Sequence, residues 1–199
     1  MILNHLITLP GAIILFHHIG QLSGLATQYE FVFENDKVFD VCPDEENSKG
    51  VYDVFDISTL TFGFNDGSVS VSGDMQVVWE GVEPSDRVES RVELMKLVRG
   101  SWQPTAFSLY TKNFCEAMFN EKTLYYQVWS QHILESDRKC ITSHHTIHHR
   151  PFVIDTKVNY AINMEGHHKL VVRYTAFDEM DVKRPKAICF EIHGEFFKV

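Results

Sequence analysis

Hydrophobic and polar residues alternate along most of the chain, a pattern typical of β-strands that bury one face. Tyr29, Phe31 and Phe33 give the first such strand, and the NDG sequence at 65–67 predicts a tight hairpin turn, which needs positive φ angles. Strand-like segments occur at 29–34, 59–64, 69–79, 87–99, 102–110, 140–142, 153–163, 168–177 and 187–197. We therefore expect a mainly β fold, a single-domain β-sandwich or β-cup of about eight or nine antiparallel strands.

One segment, 113–133, breaks this alternation and has the spacing of a helical insert. Within each of two groups its large apolar side chains recur four residues apart, with polar residues around them. The pattern predicts two short helices, about Phe114–Phe119 and Lys122–Ile133, with Asn113 as the N-cap of the first. The apolar face consists of Phe114, Met118, Phe119, Tyr125, Trp129 and Ile133.

An amphipathic insert in a β protein must bury its apolar face, either on a sheet or over an opening. In the first case these side chains are ordinary core. In the second, the insert covers a cavity for an apolar ligand, and the preceding strand supplies the opposite wall. The predicted ligand-binding residues are Phe114, Met118, Phe119, Tyr125 and Trp129 from the insert, with Trp102 and Phe107 from the strand.

Residues 1–26 contain no Asp, Glu, Lys or Arg, and their apolar centre ends in Gly24-Leu25-Ala26, with small residues where a signal peptidase needs them. This pattern predicts a cleaved secretory signal, so that 27–199 is a secreted, extracellular domain. Pro10 and the histidine pair at 17–18 interrupt the apolar run, whereas a membrane-spanning helix needs about 20 predominantly apolar residues. An uncleaved anchor and a displaced cleavage site are the alternatives.

All four cysteines follow this leader, and an even number in an exported chain predicts two disulfides with three possible connectivities. We favour Cys42–Cys189, which ties the beginning of the domain to its last strand, and Cys115–Cys140, which brackets the insert. The chain-entropy model gives about 5 and about 3.5 kcal/mol for the two loops. No pair has C-x-x-C spacing, so zinc and redox sites are not indicated.

The formal net charge of −9 lies entirely within 27–199. We do not expect such an acidic chain to bind nucleic acid, or to bind anionic membranes through a basic patch. No stretch after the leader is apolar enough to span a bilayer, and no N-x-S/T sequon for N-glycosylation occurs.

Histidines cluster at 144–149, where two pairs four residues apart would suit a metal ion if the segment were helical. Pro151 follows at once and no helical pattern is present, so a solvated loop is the simplest interpretation. Opportunistic metal binding and a response to pH are the alternatives, because histidine titrates near pH 6.5. We predict neither a dedicated metal site nor a cofactor.

The chain offers no clear catalytic set. Asp53 and Asp56 form one group of nearby carboxylates, and Asp178, Glu179 and Asp181 form a second. Glycoside hydrolysis uses close carboxylates, but both groups lie in turn-like sequence, where Asp commonly bonds the backbone. No G-x-S-x-G, P-loop or G-x-G-x-x-G motif occurs. We therefore expect a protein that is not an enzyme.

Several blocks of residues, by their order and spacing, resemble the insect CheB and CheA proteins. The blocks are YEFVFE at 29–34, VSVSG at 69–73, Trp79, VEPSDRV at 82–88, RGSWQPT at 99–105, NFCEAMF at 113–119 and RPKAICFEI at 184–192. That family consists of secreted proteins of fly contact-chemosensory (gustatory) hairs, implicated in pheromone response, and is similar to the ganglioside activator protein, a β-cup with a lipid cavity. The resemblance covers nearly all of 27–199 and implies a non-enzymatic carrier of hydrophobic ligands.

Three functions stay open at this point. The first is a carrier whose partner is an apolar small molecule, a lipid or cuticular-hydrocarbon pheromone. The second is an interaction module that binds a chemosensory receptor ectodomain through the same aromatic residues. The third is a secreted hydrolase, for which no residue set stands out. Apolar molecules retained by the natively purified protein would separate the first function from the second.

Overall fold

A computed structural model describes residues 26–35, 37–45 and 47–199, and these residues form a mainly β fold, as predicted. The predicted secretory signal at 1–26 lies outside them except for its last residue, and it stays a prediction. The strands are β1 (Thr27–Phe33), β2 (Asp40–Val41), β3 (Ser48–Lys49), β4 (Phe55–Asp56), β5 (Thr61–Asn65), β6 (Ser68–Ser72), β7 (Asp74–Val77), β8 (Arg87–Val98), β9 (Ser101–Thr111), β10 (Thr146–His148), β11 (Phe152–Asp155), β12 (Lys157–Tyr160), β13 (Gly166–Phe177) and β14 (Ala187–Lys198). The excess over the predicted eight or nine strands comes from strands of only two to four residues.

The long strands form one curled antiparallel sheet in the order β12-β1-β14-β13-β8-β9. Phe107 on β9 and Tyr160 on β12 belong to the two opposite edges, yet their ring centroids are 4.7 Å apart. Six strands laid flat would separate these edges by more than 20 Å, at roughly 4.8 Å per strand. The sheet therefore curls like a half-barrel, and we call its inner surface the concave face.

A second layer covers part of the concave face. It contains two three-stranded sheets, β10-β7-β4 and β11-β6-β5. Val77 and Ile147 from the first small sheet pack with Val172 and Ile188 of the curled sheet in the main core cluster, and each is at most 6% exposed. The main core thus lies between the two layers, which is the predicted sandwich or cup arrangement.

The helical insert is present, but its helices are shorter than predicted. The first, α1, spans Phe114–Ala117, and the second, α2, spans Leu124–Val128 and is followed by a 3₁₀ turn at Ser130–His132. Trp129 leaves helical geometry, with φ −129° and ψ −61°, and this ends α2 well before the predicted Ile133.

The real helix cap also differs from the predicted one. The Thr123 hydroxyl accepts a hydrogen bond from the Tyr126 N–H at 3.4 Å and donates to the Ala117 carbonyl at 2.7 Å, so it fixes both the start of α2 and the end of α1. Asn113, the predicted cap of α1, instead donates from its side-chain amide to Glu116 at 3.1 Å.

One predicted strand is misplaced. Residues 140–142 form a turn, because the Ser143 N–H bonds the Cys140 carbonyl at 3.0 Å. The strand in this region is β10, which pairs with β7. It includes part of the histidine segment that the sequence suggested to be a solvated loop, so that interpretation is wrong for 146–148.

Both favoured disulfides are confirmed. Cys42 joins Cys189 with a Cα–Cα distance of 5.5 Å, and Cys115 joins Cys140 at 4.9 Å. Both distances lie in the ordinary range for disulfides. The first fixes the 37–45 segment to β14, and the second fixes α1 to the turn that precedes β10.

Candidate functional site

Two of the predicted ligand-binding residues in the insert are core residues. Phe114 is 5% exposed and Met118 is 4% exposed, and both belong to the main core cluster. The Phe114 ring lies 4.9 Å from the rings of both Tyr125 and Tyr174. These two side chains are therefore ordinary core residues.

The other three aromatic residues of the insert are only half-buried. Phe119, Tyr125 and Trp129 pack against the main core cluster and retain solvent exposure. The Tyr125 hydroxyl lies 3.0 Å from the Ser90 hydroxyl on the concave face of β8, which places this side chain over the curled sheet. Trp129 is held from the other side, since its indole N–H donates to the His149 ring at 3.1 Å.

Solvent reaches the middle of the concave face. A row of apolar side chains crosses five neighbouring strands there, and every member of the row is only half-buried. We call this row the concave stripe: Leu109 on β9, Val92 on β8, Leu170 on β13, Ile192 on β14 and Phe33 on β1. The strand register places these residues in direct or diagonal contact with one another.

The opposite, convex face of β13 and β14 is covered next to the stripe, although Arg173 and His193 on the same face stay half-buried. Val171 and Cys189 are 4% and 0% exposed, and they pack with Cys42 of the disulfide-linked segment. Lys169 and Glu191 are 6% and 4% exposed and form an ion pair with 2.6 Å between Nζ and Oε1. At the level of the stripe, apolar concave side chains are therefore more exposed than these residues of the convex face.

The structure does not bring Trp102 and Phe107 together as one wall. The Trp102 ring lies on the convex face, with Lys169 Nζ 5.0 Å from its centroid, whereas Phe107 faces Tyr160 on the concave side. The two residues are five positions apart on one strand, and side chains an odd number of residues apart point to opposite faces. The predicted opposite wall is thus wrong for Trp102, while Phe107 lies at one edge of the concave face.

A pocket missed by the sequence interpretation opens beside the concave stripe. Its volume is 280 Å³, near the lower end for small-molecule sites, which begin at about 300 Å³. Phe39 joins it to the concave face, because its ring centroid is 5.5 Å from that of Phe190, two residues before the stripe residue Ile192. We call it the edge pocket; it is lined by Val38, Phe39, Tyr52, Asp56, Ile57, Ser58, Leu60 and Phe62.

Only part of this pocket carried a signal in the sequence. Leu60 and Phe62 lie on the apolar face of the predicted strand at 59–64. Phe39 and Tyr52 lie in segments without periodicity, where nothing indicated that they would meet. Phe62 and the stripe residue Phe33 both pack against the same small cluster of Val69 and Val71, so the stripe and the edge pocket are neighbouring parts of one apolar region.

The histidine segment lies behind the aromatic cover of this region. His149 is 8% exposed, and burial lowers its pKa, although the Gly73 backbone and the Asp74 carboxylate act in the opposite direction. His148 is exposed and bonds the Asp137 carboxylate at 2.7 Å, which raises the pKa of His148 and lowers that of Asp137. Among the described residues, no group of three or more His, Cys, Asp or Glu side chains could hold a metal ion.

Among these carboxylates, Asp53, Asp56 and Asp178 bond backbone groups of turns, as expected, whereas Asp181 forms an ion pair with Arg87. Asp178 accepts hydrogen bonds from the Met180 and Val182 N–H groups, both at 2.9 Å. Asp53 accepts one from the Gly50 N–H at 3.0 Å, and Asp56 accepts one from Ser58 at 2.9 Å. These bonds give each carboxylate a local structural role.

In the part of the chain that the structure describes, no helix is long and apolar enough to cross a membrane. The chain matches no protein-family model and no curated protein. The interpretation of the site therefore depends on its geometry, in which an aromatic cover, an open apolar stripe and a small pocket lie side by side.

Proposed function

We propose that the protein is a secreted, non-enzymatic carrier of hydrophobic ligands, lipids or cuticular hydrocarbons, that acts in contact detection of pheromones. The observation that carries the proposal is the concave stripe, five half-buried apolar side chains on the inner face of a curled sheet. When a ligand removes such an apolar surface from water, the free energy of burial is favourable by about 25 cal/mol per Å². The resemblance to the CheB and CheA proteins supplies the biological setting.

The geometry suits an extended apolar chain better than a compact molecule. The stripe crosses five strands, which at roughly 4.8 Å per strand is a length of about 20 Å. The edge pocket at the Phe33 end is close in volume to a site for a small group. Each methylene buried on the stripe contributes about 0.8 kcal/mol, so affinity is expected to rise roughly fourfold per methylene until the stripe is filled.

The aromatic insert would cover the bound chain. Phe119, Tyr125 and Trp129 are half-buried against the same core cluster that contacts the stripe residues Val92, Leu170 and Ile192. Tyr125 and Trp129 each have an apolar ring and one polar group, and both polar groups are bonded to protein partners, which leaves the rings for apolar contact.

The test is displacement of a fluorescent long-chain probe, with thermal unfolding of the same proteins. Trp129→Ala and Phe119→Ala are expected to weaken probe binding about tenfold or more, and to destabilise the fold by less than the 3–5 kcal/mol typical of a buried aromatic. Phe114→Ala, from the buried face of the insert, is the matched control. It should lose about 3–5 kcal/mol of stability.

Mass spectrometry of molecules extracted from the natively purified protein tests the same proposal without variants. A carrier is expected to retain long-chain apolar compounds. A wild-type protein that binds no probe and retains no such compound, together with full destabilisation by Trp129→Ala, would mean that the concave face is a closed core and would refute the proposal.

A second candidate, an interaction module for a receptor ectodomain, is favoured by one observation. Leu124 and Val128 lie one turn apart on α2 and are 61% and 39% exposed, so the insert presents an apolar surface outward as well as inward. Leu124→Ser with Val128→Ser should then abolish receptor binding and leave probe binding unchanged. Unchanged receptor binding by that double variant would reject the module.

A further inference from the structure

His168 is a buried polar side chain beside the concave stripe. It is 0% exposed and lies on the concave face of β13, two residues before the stripe residue Leu170. Across the sheet it is paired with Lys96 on β8 and with Gly194 on β14. Its ring packs edge-on against Phe196 with 5.0 Å between centroids, so its surroundings are largely apolar.

The hydrogen bond on one ring nitrogen fixes the role of the other. Nδ1 of His168 lies 2.8 Å from the Gly166 carbonyl oxygen, which can only accept, so Nδ1 carries the hydrogen and donates. In the neutral ring, Nε2 is then an acceptor. Burial lowers the pKa of His168 and outweighs the bond to the Gly166 carbonyl, which acts in the opposite direction; Lys96 and His167 also lower this pKa, so the neutral ring is favoured.

This acceptor is unsatisfied. Within 26–35, 37–45 and 47–199, nothing forms a hydrogen bond to Nε2 of His168, and the atom is shielded from solvent. A buried polar group without a partner costs about 1–3 kcal/mol, and such groups are uncommon in folded proteins. An acceptor in an apolar setting, next to an open apolar stripe, is the arrangement that a binding site uses to orient a mostly apolar ligand.

We propose that Nε2 of His168 accepts a hydrogen bond from the hydroxyl group of a long-chain alcohol whose hydrocarbon chain lies on the concave stripe. This proposal rests on the proposed carrier function and names its ligand class. A hydrocarbon or an ester has no hydrogen to donate to Nε2. A carboxylate is itself only an acceptor, so the Nε2 lone pair would repel it. The site therefore selects a single apolar chain that ends in a hydrogen-bond donor.

Phe31 lies next to the strand position opposite His168. Gly194, opposite His168, has no side chain, and the Phe31 ring fills the space where a Cβ would lie. Phe31 is half-buried, and a ligand hydroxyl that reaches the imidazole from the stripe would have to displace its ring. A side chain at position 194 would displace Phe31, which explains why glycine suits this point of the sheet.

Dodecanol, dodecane and methyl laurate, titrated as competitors of the fluorescent probe, test the proposal. In His168→Phe the ratio of the dodecanol affinity to the dodecane affinity should fall about tenfold, because the hydroxyl is then buried without a partner. The affinities for dodecane and methyl laurate should stay within about twofold of the wild-type values, since neither ligand can donate a hydrogen bond. Leu170→Ala is the control and should weaken all three ligands alike.

The outcomes separate this proposal from the function on which it rests. If none of the three ligands binds wild-type protein, the carrier function fails and the role of His168 falls with it. If all three bind and the ratio is the same in wild type and His168→Phe, the carrier function stands and the role of His168 is refuted.

Nitrogen NMR of the histidine rings gives a second readout on the wild-type protein, which does not depend on the folding of a variant. The Nε2 resonance of His168 should move upfield when dodecanol is added and stay in place when dodecane is added. An Nε2 that is already hydrogen-bonded before any ligand, and unchanged by dodecanol, would mean that an ordered water satisfies it and would overturn the proposal.

Discussion

At the middle of β13 and β14, neighbouring residues on the two faces reverse the usual rule of burial. On β13 and β14, Leu170 and Ile192 point to the concave side and are half-buried although they are apolar. Their neighbours Lys169 and Glu191 point to the convex side and are 6% and 4% exposed although they are charged. Apolar residues are normally the buried ones, and Lys and Glu are rarely buried unless paired.

This difference in exposure shows where the fold leaves apolar side chains open to solvent. On the convex side, the Cys42–Cys189 disulfide and the Arg173–Glu45 ion pair fasten the 37–45 segment to the sheet. Trp102 covers Lys169 of the Lys169–Glu191 ion pair from the β9 side. On the concave side the stripe residues stay half-buried, although Phe33 packs against Val69 and Val71 of the second layer. An open apolar surface is unfavourable in water unless it binds something, so a bound apolar ligand would account for the exposed stripe.

The largest expected effect comes from breaking the buried ion pair on the convex side. Glu191→Leu should lose about 3–5 kcal/mol in free energy of unfolding, because it leaves the Lys169 ammonium buried without its partner. Urea denaturation measures the loss. Glu195→Leu is the matched control, since Glu195 points to the same face of β14 but its contact with His167 is 3.6 Å and partly exposed, so its loss should stay below about 1 kcal/mol.

The double variant Lys169→Met/Glu191→Leu sharpens this result. With both charges removed, the Lys169 ammonium is no longer buried alone and only the bond of Glu191 to the half-buried His193 is lost, so the stability should recover to within about 1–2 kcal/mol of wild type. A small loss in Glu191→Leu alone, similar to that in Glu195→Leu, would mean that water reaches the convex pair, and the contrast between the faces would disappear.

An intermediate effect is expected from enlarging two adjacent residues of β13. Val171→Phe should cost about 1–3 kcal/mol, because Val171 is 4% exposed and the convex side has no room for a larger ring. Leu170→Phe should change stability by no more than about 0.5 kcal/mol, because the space above the stripe is open. Chemical denaturation of both variants gives the comparison within a single strand.

Equal losses in these two variants would contradict the open stripe. They would show that Leu170 is packed as tightly as Val171, and the carrier function would lose its structural support. A tolerated Leu170→Phe that also binds the fluorescent probe more weakly would show that the added ring occupies the space of the ligand.

Much of the fold was predictable because period-two alternation is a local signal. The alternation at 168–177 and 187–197 predicted β13 and β14, and the spacing within 113–133 predicted a helical insert. The same rule could have separated Trp102 from Phe107, since an odd spacing on one strand puts two side chains on opposite faces. The helix end at Trp129 was not predictable, because it depends on the contact with His149, twenty residues away.

The site was less predictable than the fold because its openness is not a local property. Leu170 and Val172 look alike in the sequence, yet one is half-buried and the other is 6% exposed. The difference depends on contacts with distant segments, since Val172 is a member of the main core cluster and Leu170 only packs against it. The edge pocket also depends on distant residues, because Phe39 and Tyr52 meet there. The unsatisfied His168 lies opposite Gly194 on another strand. No spacing in the sequence indicates either arrangement.

The smallest expected effect is a loss of folding stability at acidic pH. It should involve His149, which bonds Trp129 of the aromatic insert. Burial lowers the pKa of His149, so the folded state favours the neutral ring and the unfolded chain binds more protons. Stability is then fully present above the ordinary histidine pKa of about 6.5 and falls as the pH drops below it, by at most about 1.4 kcal/mol per pH unit for one histidine. Urea midpoints at about pH 7.5 and 5.5 measure the change. Burial also lowers the pKa values of His132 and His168, which adds to the same loss.

His149→Gln isolates the contribution of the cover. The Trp129 indole can only donate, so it needs the unprotonated Nε2 of His149, and protonation of that nitrogen removes the bond. A glutamine oxygen accepts at every pH, so this variant should lose about 1 kcal/mol less than wild type on acidification. His144→Gln, at an exposed position of the same segment, should behave as wild type. His148 opposes the trend, because Asp137 raises its pKa and its contribution is present at low pH and lost as the pH rises. If His149→Gln is as acid-sensitive as wild type, the Trp129 contact does not respond to pH, and acid acts through the other buried histidines.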